Sequence, residues 1–140
     1  MVQTAPPWRA GQKTNDKKIY PETLYYGKRV GRGIGHQPVY KRLLPGGEPT
    51  ELSPEPSQKL CNHSPDGFNW GYGGSGLAQT SLALLLDATT DPEMALAYYQ
   101  QFKWDKVAWW GKRWSILRSE ILEWLSEEQK QDLITRSSKN

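Results

Sequence analysis

Apolar positions are sparse in the first third of the chain and dense after Phe68. Two runs of strand formers come first, Leu24, Tyr25, Tyr26 and Val30, then Val39, Tyr40, Leu43 and Leu44. The glycines and proline of GRGIGHQP separate them, which predicts an antiparallel pair. Lys28, Arg29 and Arg32 make a basic connector at one end, able to steer an anion, although a solvated hairpin tip has the same composition. Residues 45–58, PGGEPTELSPEPSQ, hold four prolines, so an extended surface loop is expected, with residues 50–52 as a strand fragment.

The pattern sharpens over residues 62–86, NHSPDGFNWGYGGSGLAQTSLALLL. Ser-Pro-Asp-Gly predicts a tight turn, and Phe68, Asn69 and Trp70 alternate as a short strand with one buried face would. After the loop GYGGSG, Leu77, Ala78, Leu82, Ala83, Leu85 and Leu86 recur at helical spacing on two sides, which predicts the central buried helix. Ser75 is the natural N-cap, with Gly74 or Gly76 as alternatives. Asp91-Pro92-Glu93 predicts a second helix start, with apolar register through Trp109 and a stop at Gly111. A short extended piece at residues 114–117 then leads to a third amphipathic helix over 118–129, striped by Ile121, Leu122, Trp124 and Leu125.

These elements predict an α+β domain over residues 19–134, a small antiparallel sheet packed by three helices, with a flexible arm at 1–18 and a frayed tail at 135–140. At 140 residues one modest core is affordable. Mean hydropathy is −0.76, so the apolar residues must be concentrated to fold the chain. The lone Cys61 excludes an internal disulfide framework and suits a reducing cytoplasm. With only His36 and His63 as further soft ligands, neither a metal centre nor a cofactor is expected. No apolar run approaches a membrane span, so a cytoplasmic protein with no membrane contact is expected.

The net charge of +3 is unevenly spread. Residues 1–60 hold ten Lys and Arg against five Asp and Glu, residues 61–102 none against four, and residues 103–140 eight against six. The glycine loop therefore sits between basic flanks. In the arm, Trp8, Arg9, Lys13, Lys17 and Lys18 could contact nucleic acid by stacking and phosphate pairing, although a plain disordered tail with one incidental aromatic is the simpler reading.

The motif NHSPDGFNWGYGGSGLAQTSLALLLD, followed by AYYQQFKWDKVAWW, Trp114 and EILEWL, resembles the uncharacterised family catalogued as domain of unknown function 6166. The likeness spans roughly residues 25–125. It implies an intracellular accessory protein of genomes or mobile elements, including viruses and plasmids, and brings no activity with it. Leu77 stands where that family usually has a helix-opening proline, and Leu117 where a capping threonine is common.

Residues 71–76 fit G-x-G-x-x-G, but a dinucleotide fingerprint also needs a second parallel strand after the helix, and here another helix follows. No Lys-Ser/Thr pair makes it a Walker loop. The general mechanism survives, because free N–H groups at a helix start attract an anion. Gly73, Gly74, Ser75 and Gly76 would supply N–H groups and a hydroxyl, Tyr72 or Trp70 a stacking face, and Gln79 an amide. His63 completes the candidate ligand-binding set. The alternative is structural, with glycines admitting the helix close to the sheet and Trp70 and Tyr72 packing as core.

Two other readings stay open. Trp104, Trp109, Trp110 and Trp124, interleaved with Lys103, Lys106, Lys112 and Arg113, suit nucleic acid or a protein partner, such as a host target of a mobile element; one or two of these tryptophans are expected to be exposed. His63, Ser64, Asp66 and Ser75 could serve hydrolysis or nucleotide cleavage, although nearness in sequence is not geometry. No catalytic residue is assigned. The leading expectation is a binding protein for a phosphate-bearing ligand, nucleotide or nucleic acid.

Overall fold

The two predicted strands pair antiparallel in the computed structural model, which describes residues 22–71 and 74–138. Strand β1 (Glu22–Lys28) faces β2 (Val39–Leu44), with Tyr25 opposite Lys41 and Gly27 opposite Val39. The short β3 (Thr50–Glu51) extends this edge, as the 50–52 fragment predicts. On the other edge β4 (Arg113–Leu117) pairs antiparallel with β1, so the order is β3-β2-β1-β4. That pairing joins segments nearly ninety residues apart and puts Lys28 opposite Arg113. The arm expected at residues 1–18, with Tyr72 and Gly73, lies outside the described residues.

Helix α2 (Ser75–Thr89) is the central element. Eleven of its fifteen residues are buried, so it is covered all round rather than along one stripe. Its polar residues are satisfied inside the protein: Thr80 Oγ1 donates toward Asn69 O and Gly76 O, and Ser81 Oγ donates to Leu77 O. Leu82, Leu84 and Leu85 pack with Tyr25, Val39, Phe68, Phe102 and Ile121 in one core. Burial of each such aliphatic or Phe side chain contributes roughly 1.5–3 kcal/mol.

Helix α3 (Pro92–Asp105) starts as predicted, with Asp91 Oδ1 accepting from Met94 N at 3.2 Å. It does not run to Gly111. The helix stops at Asp105, and Val107–Trp109 form a 3₁₀ turn. Apolar register persists there because the turn buries Val107 and Ala108, not because the helix continues.

Three further expectations are corrected. The proline-rich segment runs into a helix, α1 (Glu55–Leu60), since Pro54 is its N-cap and Pro56 lies in its first turn, where missing N–H groups cost nothing. Residues 68–70 form no ladder, and all three are buried, Asn69 included. Helix α4 (Arg118–Ser138) continues nine residues past Gln129. Tyr98 Oη donates to Asp132 Oδ2 at 2.6 Å, tying that extension to α3.

At the two departures from the family pattern the helix starts are still closed. Leu77 N donates to Gly74 O at 3.1 Å, a bond that a proline could not make. Leu117 N donates to Glu120 Oε1 at 2.8 Å, the half of a capping box that a glutamate three residues on supplies. No helix among the described residues is long and apolar enough to cross a membrane.

Candidate functional site

Gly74 is the N-cap of α2, with φ 78° and ψ −138°, a backbone open to glycine and strained for other residues. Having no side chain, it cannot itself cap the first-turn N–H groups. Gly74 and Ser75 are exposed. Gly76 is buried, and a Cβ there would lie 2.8 Å from Asn69 N and from Asn69 Cβ. The glycine at 76 therefore serves close approach of α2 to the 68–70 segment.

The other candidates divide sharply. Trp70 is fully buried, its Nε1 donating to Gly111 O at 2.8 Å and its ring edge-on to Trp114, which leaves no face for a ligand to stack on. Gln79 is also fully buried. Its Oε1 accepts from His63 N at 2.8 Å and Ser64 N at 3.0 Å, and its Nε2 donates to Ser57 Oγ and Cys61 O. The amide expected to meet a ligand one turn into the helix instead closes the SPDG turn. His63 Nε2 lies 2.6 Å from Tyr99 Oη and 3.3 Å from Cys61 Sγ, and among the described residues it meets neither Ser64 nor Ser75. Burial pushes the Tyr99 phenol above its ordinary range. Gly74, Ser75 and Gly76 remain at the helix start, and Tyr72 and Gly73 lie outside the described residues.

Beside the glycine segment a cleft of about 450 Å³ opens between the loop after β1 and the 3₁₀ turn before β4. Arg29, Arg32 and Gly33 form one wall, Ala108, Trp109 and Trp110 the other, and Asn69 and Gly71 the floor. Asn69 builds it: Nδ2 donates to Gly33 O at 3.0 Å, and Oδ1 accepts from Trp70 N at 2.8 Å and Arg29 Nε at 3.3 Å. Arg29 also donates to Trp70 O and lies over the Trp70 ring at 5.6 Å. Gly71 N donates to Val107 O at 3.1 Å, fixing the floor to the turn. Behind it Trp110 stacks on Trp114 with centroids 4.0 Å apart.

This end of the sheet is strongly basic. Arg29 N donates to Lys112 O, so Lys28, Arg29, Arg32, Lys106, Lys112 and Arg113 come from two segments held side by side. No Asp or Glu occurs in residues 28–47 or 106–119. None of the six cations forms an ion pair with a described residue, whereas Lys41–Asp87, His36–Glu51 and Lys130–Glu127 pair elsewhere. Among the described residues, Trp109, 72% exposed, and Trp104, 55% exposed, are the tryptophans left to solvent. Sequence reading identified both basic segments, but nothing local reveals that the β1–β4 pairing joins them.

A second cluster lies on the inner face of the sheet. Tyr25 Oη and Lys41 Nζ each donate to the Asp87 carboxylate at 2.7 Å, beside Thr23, Gly47 and Arg118. Burial, then the hydrogen bond to Asp87, pushes the Tyr25 phenol far above its ordinary value. Asp87 shows no signal in sequence beyond ending an apolar run.

Fold and site together define a small α+β protein, an antiparallel sheet on a buried helix with a basic cleft at one sheet end. The chain belongs to the Family of unknown function (DUF6166), whose model matches residues 25–127, from β1 into α4, and so includes the whole cleft. No curated protein and no solved structure matches the chain.

Proposed function

We propose that the protein binds a phosphate-bearing ligand, a nucleotide or a nucleic acid, in the cleft lined by Arg29, Arg32, Gly71 and Trp109. The observation that carries this reading is the set of six cations at one sheet end with no acidic partner among the described residues. Cations kept close together without counter-charges repel one another, and an incoming polyanion relieves that repulsion. Arg32 supplies the exposed guanidinium, suited to phosphate oxygens in a fork. Arg29 shapes the wall, because its donors already serve Asn69 and Trp70. The start of α2, where Gly74 and Ser75 are exposed, carries the positive end of a helix dipole.

Thermal shift at low salt against nucleotides and oligonucleotides tests the reading. Stabilisation by at least one of them is expected, fading with added salt and lost in Arg32→Gln with the free protein's melting unchanged. No shift with any ligand, or full retention in Arg32→Gln combined with Lys112→Gln and Arg113→Gln, overturns it.

A second reading is a protein-docking module, supported by the exposure of Leu96 and Trp104 on α3. A partner held there would be indifferent to Arg32→Gln and released by Trp104→Ala.

A further inference from the structure

Resting on the phosphate-ligand reading, we infer that the cleft takes single-stranded nucleic acid, with Trp109 as the platform on which a base stacks. The inference starts from the cost of leaving an indole in water. Trp109 is 72% exposed in a chain whose Trp70 and Trp114 are buried. Its ring is nevertheless held in place: Nε1 donates to Trp104 O at 2.9 Å, and its backbone N donates to Lys106 O at 3.0 Å within the 3₁₀ turn. A side chain pinned by its polar edge presents a ring face that loses little freedom when something lies on it.

Its setting selects the occupant. Arg29 and Arg32 stand across the cleft, and Lys106 and Lys112 flank the turn, so cations border an exposed aromatic face. Alternating aromatic platforms and backbone-neutralising cations bind unpaired strands, whose bases offer free faces. In a duplex those faces are occupied by neighbouring bases, and groove reading uses a helix or a two-stranded ribbon inserted into the groove. Here the basic surface is a concave cleft between two turns, about 450 Å³, within the range of pockets that take one small ligand or one nucleotide at a time. Trp104, in the last turn of α3, has Lys103 Nζ 4.5 Å from its ring centroid and accepts the Trp109 Nε1 bond through its carbonyl, so a second exposed indole with a cation adjoins the first. Asn69, the one side-chain amide lining the cleft among the described residues, is committed to Gly33 O, Trp70 N and Arg29, so no amide there is left to read a base edge.

Fluorescence anisotropy with labelled oligo(dT) and oligo(rU) of about 12 nucleotides tests this, with a duplex of equal length, a mononucleotide and inorganic pyrophosphate as competitors. The single strands are expected to bind at least about tenfold more tightly than the duplex, and Trp109→Ala to weaken them about 5- to 100-fold while Trp109→Phe retains most affinity. The DNA and RNA arms decide which strand is preferred. If the mononucleotide and pyrophosphate compete as well as the oligomers and Trp109→Ala binds like the parent, the inference falls while the phosphate reading stands. Preference for the duplex also overturns it. If none of the probes binds, both fall. Unchanged melting of Trp109→Ala, expected for an exposed ring, separates lost stacking from lost fold.

Discussion

Gly76 lies directly against Asn69. A Cβ built on Gly76 would sit 2.8 Å from both Asn69 N and Asn69 Cβ, while Thr80, one turn on, bonds Asn69 N and O through its hydroxyl. The buried helix α2 and the segment that floors the cleft are therefore fixed against each other over residues 69, 76 and 80. Asn69 in turn holds the 29–35 loop through Gly33 O and Gly35 O, so the position of Arg29 and Arg32 depends on this contact.

Replacing Gly76 by alanine opposes two effects. Helix propensity alone would gain up to about 1 kcal/mol, whereas forcing a methyl into backbone at this distance costs about 1–3 kcal/mol. Overpacking wins, because the obstructing atoms are the Asn69 Cβ and main chain that Thr80 holds in place. Gly76→Ala is expected to lower the urea midpoint without changing the slope. A variant as stable as the parent would mean that α2 can back away from residue 69.

Gln79 is the second internal clamp. Its Oε1 takes two backbone N–H groups and its Nε2 gives to Ser57 Oγ and Cys61 O. Gln79→Leu leaves these partners orphaned in the interior and should cost roughly 2–5 kcal/mol. Gln79→Glu should not rescue it. Ser57 spends its hydroxyl proton on Pro54 O at 2.8 Å, so both groups facing Nε2 need a donor, which a carboxylate lacks. Equal urea midpoints for Gln79→Glu and the parent would refute this assignment of the network.

Much of this architecture is legible along the chain. The β1–β2 pair, the α2 core, the Asp91 cap and the extended piece before α4 follow from local period and capping chemistry. Much of what is not legible has one cause, tertiary satisfaction of polar groups. Asn69 reads as the outward residue of a strand, yet it is buried because four hydrogen bonds await it. Gln79 reads as a ligand-facing amide for the same reason. The glycine at 76 resembles part of a cofactor fingerprint, and its use is to let α2 meet Asn69. The cleft stays hidden for a different reason: β1 and β4 come together only in the sheet, and local spacing carries no record of that pairing.

Alkaline stability should depend on Tyr25. Its phenol is raised far above the ordinary value of about 10 by burial and by the hydrogen bond to Asp87. In the unfolded chain it ionises near that ordinary value, so above pH of about 10 the unfolded state loses a proton that the folded state retains. The stabilisation is thus complete below about pH 10 and falls as pH rises beyond it. Tyr25→Phe should lose about 1.5–3 kcal/mol at neutral pH, the worth of a hydrogen bond to a charged group, and should show a shallower decline above pH of about 10. Denaturant melts at several pH values check this; parallel curves for variant and parent would reject it.

Arg29 and Arg32 line the same wall but do different work, and conservative substitution separates them. Arg29 uses a planar fork: Nε reaches Asn69 Oδ1 at 3.3 Å, a terminal nitrogen reaches Trp70 O, and the guanidinium lies over the Trp70 ring. A lysine keeps the charge but places one ammonium where two directed donors and a flat stacking group are needed. Arg29→Lys should therefore lower stability by about 1–3 kcal/mol, since it leaves a buried acceptor short of a donor. Arg32 is exposed and makes no ion pair with a described residue, so Arg32→Lys should change stability by no more than about 0.5 kcal/mol. Ligand binding should show the reverse pattern at equal folded fraction, with Arg32→Gln losing affinity and Arg29→Lys losing it only as far as the loop shifts. Melting curves and binding titrations on the same four proteins decide it. A stable Arg29→Lys together with a destabilised Arg32→Lys would exchange the two roles.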